Sequence, residues 1–157
     1  MMRYTFAAPD EQATDRLGAA LAEALEPGSI VALNGPLGAG KTRLVQALAA
    51  ALGIPRREVL SPTFVLIHEY EGRCPVFHFD AYRLADDDQF LELGPEEYFQ
   101  RGGLVLIEWA ERVARCLPRE HLEIRIAVTG ASTREFELVA HGEAYEAALE
   151  RVRALAG

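Results

Sequence analysis

The chain has 157 residues, half of them hydrophobic and a quarter charged, which fits one globular domain with a buried core. Its formal charge of −8 and pI near 5.0 argue against a protein that grips a nucleic-acid backbone by itself, because that mode needs clustered Lys and Arg. Asp10, Glu11 and Asp15 interrupt any signal peptide, and no apolar run approaches the roughly 20 residues that span a bilayer, so a soluble cytoplasmic protein with no membrane partner is expected.

Residues 3–7 alternate as a short strand, and Asp10 then opens a helical stripe through Ala13, Leu17, Ala20, Leu21, Ala24 and Leu25. Pro27-Gly28 ends it. An apolar run at 29–33 meets a glycine-rich loop, and 41–52 carries Leu44, Leu48, Ala51 and Leu52 at helical spacing before Gly53-Ile54-Pro55 closes that helix. Residues 63–70 and 75–79 read as two strands around Glu71-Gly72-Arg73, either a hairpin or neighbours. The acidic segment 86–100 predicts short helices broken at Gly94-Pro95, and 104–107 predicts a buried central strand. Beyond Pro118, the alternation of Leu122, Ile124, Ile126 and Val128, followed by Phe136, Leu138 and Ala140, predicts half-exposed antiparallel edge strands. Tyr145, Leu149, Val152 and Leu155 predict a final amphipathic helix. The expected fold is a single α/β domain over 1–157, with a central mainly parallel sheet flanked by helices and antiparallel edge strands. The two cysteines, Cys74 and Cys116, have neither Cys-x-x-Cys spacing nor nearby paired histidines and read as inert thiols.

Gly35-Pro36-Leu37-Gly38-Ala39-Gly40-Lys41-Thr42 satisfies Gly-x-x-x-x-Gly-Lys-Thr between a predicted strand and a predicted helix. Such a loop wraps phosphate with backbone N–H groups at a helix N-terminus, its lysine reaches the β and γ phosphates, and its threonine offers a hydroxyl to magnesium. A chance match in a chain of this composition is on the order of 1% or less before that context is demanded. A second acidic group is needed for the metal or its water. Asp80 and Glu108 each end an apolar strand, where α/β sheets bind ligands. Ser61-Pro62-Thr63 stands where a switch threonine would sense the γ-phosphate, or is an ordinary turn. For His78, Tyr82, Arg83 and Trp109, spacing leaves packing, salt-bridge and site roles open. His68, His121 and His141 have no partners at ligand spacing and read as surface or packing residues. Hydrolase, small-molecule kinase, GTPase-like switch and nucleotide-dependent binding module all share this loop. The acidic 86–100 segment is unlike an arginine-bearing kinase lid, and no Asn-Lys-x-Asp motif reads guanine, so ATP is the expected nucleotide.

Taken in order, the glycine-rich loop, Ser61-Pro62-Thr63-Phe64, His78-Phe79-Asp80-Ala81-Tyr82-Arg83-Leu84, Glu92-Leu93-Gly94, Glu97-Tyr98-Phe99 and Ile107-Glu108-Trp109 resemble the TsaE (YjeE) family over roughly residues 9–110, with Pro9-Asp10-Glu11-Gln12-Ala13-Thr14 near the start. The resemblance implies an ATPase of tRNA threonylcarbamoyladenosine biosynthesis that works with TsaD and TsaB, supports their turnover rather than acting as the transferase, and meets tRNA only indirectly. It implies that Leu37, Gly38, Ala39, Gly40, Lys41 and Thr42 bind phosphates, that Thr42 and Glu108 hold magnesium, that Asp80 is needed for hydrolysis and that Thr63 belongs to a switch-like loop. Glu11 and Ser132 would flank the nucleoside. Three positions depart from the family pattern: Pro36 where aspartate is common, Arg43 in place of a second threonine, and Ala110 where proline is frequent. None removes a phosphate or magnesium ligand, and the amide that Pro36 lacks would point away from the phosphate cradle.

Overall fold

The apolar runs that stay buried on both faces form the middle of a seven-stranded sheet ordered β1-β7-β6-β2-β5-β4-β3. The structure is a computed structural model describing residues 2–60 and 66–157. Its strands are β1 (Met2–Ala8), β2 (Ile30–Asn34), β3 (Ile67–Glu71), β4 (Pro75–Asp80), β5 (Leu104–Glu108), β6 (His121–Val128) and β7 (Arg134–His141). Its helices are α1 (Glu11–Ala24), α2 (Lys41–Ala51), α3 (Asp87–Glu92), α4 (Pro95–Phe99) and α5 (Glu143–Ala156), with 3-10 turns at Arg56–Glu58 and Ala110–Cys116. Strands β6, β2, β5 and β4 are mutually parallel, and the pairs β1/β7, β7/β6 and β4/β3 are antiparallel. Both edge strands are therefore antiparallel to their neighbours, and β3 and β4 form a hairpin.

Helices α1, α2 and α5 cover one face, where Leu17, Leu21, Leu44, Leu48, Leu149 and Val152 bury against Leu33, Leu106, Ile124 and Leu138. The other face carries Phe77, Phe79, Val105 and Ile107 under Phe90 and Val113. Local chemistry starts the helices where expected: Asp10 caps α1 by accepting from the Ala13 N–H at 2.9 Å, and Asp86 caps α3 from Gln89 at 3.0 Å. Helices α1 and α2 approach so closely that a Cβ on Gly18 would lie 2.5 Å from the Ala47 Cβ.

Two expectations need correction. Neither β7 nor β6 is at an edge: β7 lies between β1 and β6, and β6 pairs in parallel with β2, with Val31 opposite Leu122. The alternation of β6 is one-sided cover, Leu122, Ile124 and Ile126 facing the helices while Glu123 and Arg125 occupy the opposite face. Leu155 does not join the apolar stripe of α5 and is 56% exposed, whereas Ala148 completes that stripe. Among the described residues no helix is long and apolar enough to cross a membrane.

Candidate functional site

Parallel pairing brings three strand ends to one edge. Leu33 lies opposite Glu108, and Asp80 lies opposite Glu108 on the other side. The glycine-rich loop leaves β2 at this edge and α2 begins at its Lys41. The loop closes on itself through Ala39 N–H to Pro36 O at 3.1 Å. Gly40 caps the helix at φ 108°, a left-handed conformation that L side chains rarely adopt. Unpaired N–H groups at the start of α2, together with the helix dipole, suit this end to an anion.

Lys41 is 5% exposed, and its ammonium donates to Gly35 O at 2.6 Å and Pro36 O at 3.0 Å. It also stands 3.8 Å from the centre of the Trp109 ring, a cation–π contact. Burial lowers its pKa against the opposing pull of Glu108, Glu111 and Asp80. Pro36, which departs from the family pattern, thus supplies a carbonyl to the lysine. Trp109 has φ 59°, an uncommon conformation for a bulky residue, which lays the indole beside Tyr82 at a ring separation of 4.9 Å.

The Thr42 hydroxyl donates to the Glu108 carboxylate, 2.8 and 2.9 Å from its two oxygens. Glu108 is 3% exposed, and its Oε2 also lies 2.5 Å from His78 Nε2. Asp80, 2% exposed, accepts from the Tyr82 N–H at 2.8 Å, which ties the turn after β4 to the carboxylate. Asp80, Glu108, Lys41, Thr42, Leu37, Gly38 and Gly40 line one cleft of about 470 Å³ with Tyr82 and Trp109. Ala39 is fully buried behind the loop. Glu11 and Ser132 line an adjoining hollow of about 260 Å³ that shares Gly38, Gly40 and Arg43 with the first. Thr63 lies outside the described residues.

Thr42 and Glu108 fit a hard cation: both offer oxygen, and magnesium in phosphate-transfer sites takes one or two protein ligands and keeps water and phosphate for the rest. No group of three or more His, Cys, Asp or Glu able to hold a metal occurs among the described residues.

Three contributions escaped the reading of the sequence. His78 reaches the Glu108 carboxylate. Arg134 braces the loop from β7, donating from Nε to Ala39 O at 2.9 Å and from Nη2 to Gly38 O at 3.3 Å. Arg43 bonds Asp15 of α1 at 3.0 Å, a helix-to-helix tie at the position where the family commonly has threonine. The only signal for the first was the two-residue spacing of His78 and Asp80, which puts both on one face of a strand. His121 and His141 lie at the far end of the sheet and stack on each other, ring centres 4.6 Å apart.

A strand, a glycine-bearing loop and a helix at the C-terminal edge of parallel strands, with Lys and Thr beside buried carboxylates, define the P-loop nucleotide-binding class. Comparison with known proteins narrows the class. The family model described as "Threonylcarbamoyl adenosine biosynthesis protein TsaE" matches residues 8–136. The tRNA threonylcarbamoyladenosine biosynthesis protein TsaE of Bacillus subtilis is 42% identical over 146 residues, covering 92% of this chain and 89% of its own. The protein of the same description from Treponema pallidum is 44% identical over 124 residues, covering 79% and 91%. The crystal structure of Bacillus subtilis YdiB superposes with a TM-score of 0.82 at 32% identity, covering 98% of this chain and 95% of that one. The chain belongs to the TsaE family.

Proposed function

We propose that this chain binds Mg-ATP between the glycine-rich loop and the ends of β4 and β5, and hydrolyses it in support of threonylcarbamoyladenosine formation at position 37 of tRNAs that read codons beginning with adenine. The observation that carries the reading is the meeting of Thr42 and Glu108 at 2.8 Å beside the buried Lys41. Backbone N–H groups of the loop and Lys41 hold the phosphates, and Lys41 offsets charge that builds on the γ-phosphoryl oxygens. Thr42 and Glu108 would hold a magnesium ion, which would supply Lewis-acid stabilisation of the phosphate charge. Asp80 orients the attacking water, Thr63 belongs to a loop that responds to the γ-phosphate, and Glu11 and Ser132 flank the nucleoside. ATP rather than GTP is favoured because the chain has no Asn-Lys-x-Asp motif.

Turnover by the chain alone is weak, and orthologues of TsaD and TsaB complete the site and receive its output; at a net charge of −8, contact with tRNA is indirect. The test is tRNA modification reconstituted from purified components with and without this chain and ATP. Modification through repeated rounds only when both are present is the expected result. ATPase activity unchanged on adding the two partners would reject the coupling.

A further inference from the structure

Behind Glu108 runs a chain of polar side chains that reaches across three strands, buried at His78 and Tyr70 and half-buried at His68. His78, fully buried, places Nε2 2.5 Å from Glu108 Oε2. Its Nδ1 lies 3.3 Å from the Tyr70 hydroxyl, itself 3.1 Å from His68 Nδ1 and 3.5 Å from Leu60 O. An ionised carboxylate only accepts hydrogen bonds, so Nε2 must carry the proton. With one proton on the ring, Nδ1 is then an acceptor, which Tyr70 satisfies by donating its single O–H, so that proton is not at the same time given to Leu60 O. The same logic makes His68 Nδ1–H the donor to the tyrosine oxygen. Each bond fixes the direction of the next. Burial pushes the Tyr70 pKa up to about 12, so the phenol keeps the proton this order requires.

We propose that His78 is a positioning residue for Glu108: it holds Oε2 from behind and leaves Oε1 for the cation, while the Thr42 hydroxyl sits between the two oxygens, with Tyr70 selecting the tautomer that makes this possible. The proposal rests on the reading of Thr42 and Glu108 as metal ligands. It follows from the geometry of a buried carboxylate. Thr42 touches both oxygens, so Thr42 alone leaves the carboxylate free to rotate, whereas a second donor on one oxygen sets the plane. Hydrogen bonds of this kind behind metal ligands are worth about 10- to 100-fold in metal affinity.

The experiment compares wild type with His78→Leu, His78→Gln and Tyr70→Phe, each checked for an intact melt. Binding of a non-hydrolysable ATP analogue is measured in EDTA and across a magnesium titration. His78→Leu is expected to leave affinity in EDTA within about twofold and to raise the magnesium concentration for half-maximal enhancement about 10-fold or more. His78→Gln, whose amide N–H reaches the same oxygen, restores most of the loss, and Tyr70→Phe shows a smaller shift in the same direction. Equal losses in His78→Leu and His78→Gln, or a parallel fall of affinity in EDTA, would make His78 a packing residue and overturn the proposal. A magnesium effect in wild type that His78→Leu keeps in full rejects positioning alone. No magnesium effect in wild type rejects the ligand assignment, and the proposal with it.

Discussion

The ammonium of Lys41 lies 3.8 Å from the centre of the Trp109 indole, and Trp109 is the only tryptophan of the chain. The lysine is held by the loop's own carbonyls of Gly35 and Pro36, interactions that a bound phosphate competes with. Engaging phosphate moves the charge relative to the ring, so tryptophan emission should change on titration with ATP. Lys41→Ala should abolish that response and weaken nucleotide binding by about 1.5–3 kcal/mol, the worth of a charged hydrogen bond, roughly a factor of 10 to 150. Wild-type affinity in Lys41→Ala would show that the lysine does not carry the phosphate.

Arg134 makes four hydrogen bonds to backbone carbonyls, two in the glycine-rich loop and two at Gly130 and Thr133 in the turn that carries Ser132. One planar group thus joins the phosphate side of the site to the hollow lined by Glu11 and Ser132. Arg134→Met keeps the apolar stem and removes the donors. It should lower nucleotide affinity about 10-fold with a small loss of melting temperature, and Arg134→Lys should recover little of this because an ammonium cannot reproduce the fork. Isothermal titration with the three proteins decides it, and full recovery by lysine would reduce the role to charge.

The loop was legible because its chemistry is carried by consecutive residues at fixed offsets, and the chain order of strand, loop and helix was enough to place it. The strand-end carboxylates were legible for a related reason: an apolar run announces a buried parallel strand, and an acidic residue that ends it stands at the edge where ligands bind. The partners of these residues were not. His78 and Glu108 are 30 positions apart and Arg134 and Ala39 are 95 apart, so their meeting depends on strand order and register, which no local pattern encodes. The same limit explains β6: a period of two reports which face is covered, not which strand lies alongside.

Helices α1 and α2 pack through Gly18, where a methyl group would meet the Ala47 Cβ at 2.5 Å and the Ala47 and Leu48 backbone at 2.8 Å. Backbone cannot yield as a flexible side chain does, so Gly18→Ala should gain helix propensity yet lose more to overpacking. The expected net cost is about 1–3 kcal/mol, measured by urea unfolding. Helix α2 carries Lys41 and Thr42 at its start, so nucleotide affinity should fall as well. A stabilised Gly18→Ala protein would show that the two helices separate without cost.

His121 and His141 stack at the end of the sheet away from the site, His121 Nδ1 donating to Pro118 O at 2.9 Å and His141 Nε2 3.1 Å from Glu123. Burial is the main cause of a lowered His121 pKa, with the His141 ring adding to it and the Pro118 carbonyl and Glu123 opposing it. The folded state therefore takes up the His121 proton at lower pH than the unfolded chain, whose histidine titrates near 6.5. Between the folded and unfolded values the unfolded state binds more protons, so stability falls as pH drops below about 6.5, by at most about 1.4 kcal/mol per pH unit for one proton. Glu123 works at lower pH. Burial raises its pKa, but its bonds to Arg125 and His141 outweigh that and leave the value below the usual 4.5, so the stability it contributes is present above 4.5 and lost as pH falls through the lowered value. Unfolding free energies measured from pH 7.5 to 5 should decline in wild type and decline less in His121→Phe, which keeps an aromatic ring against His141 without a titrating nitrogen. Identical slopes for the two proteins would remove His121 from the pH response.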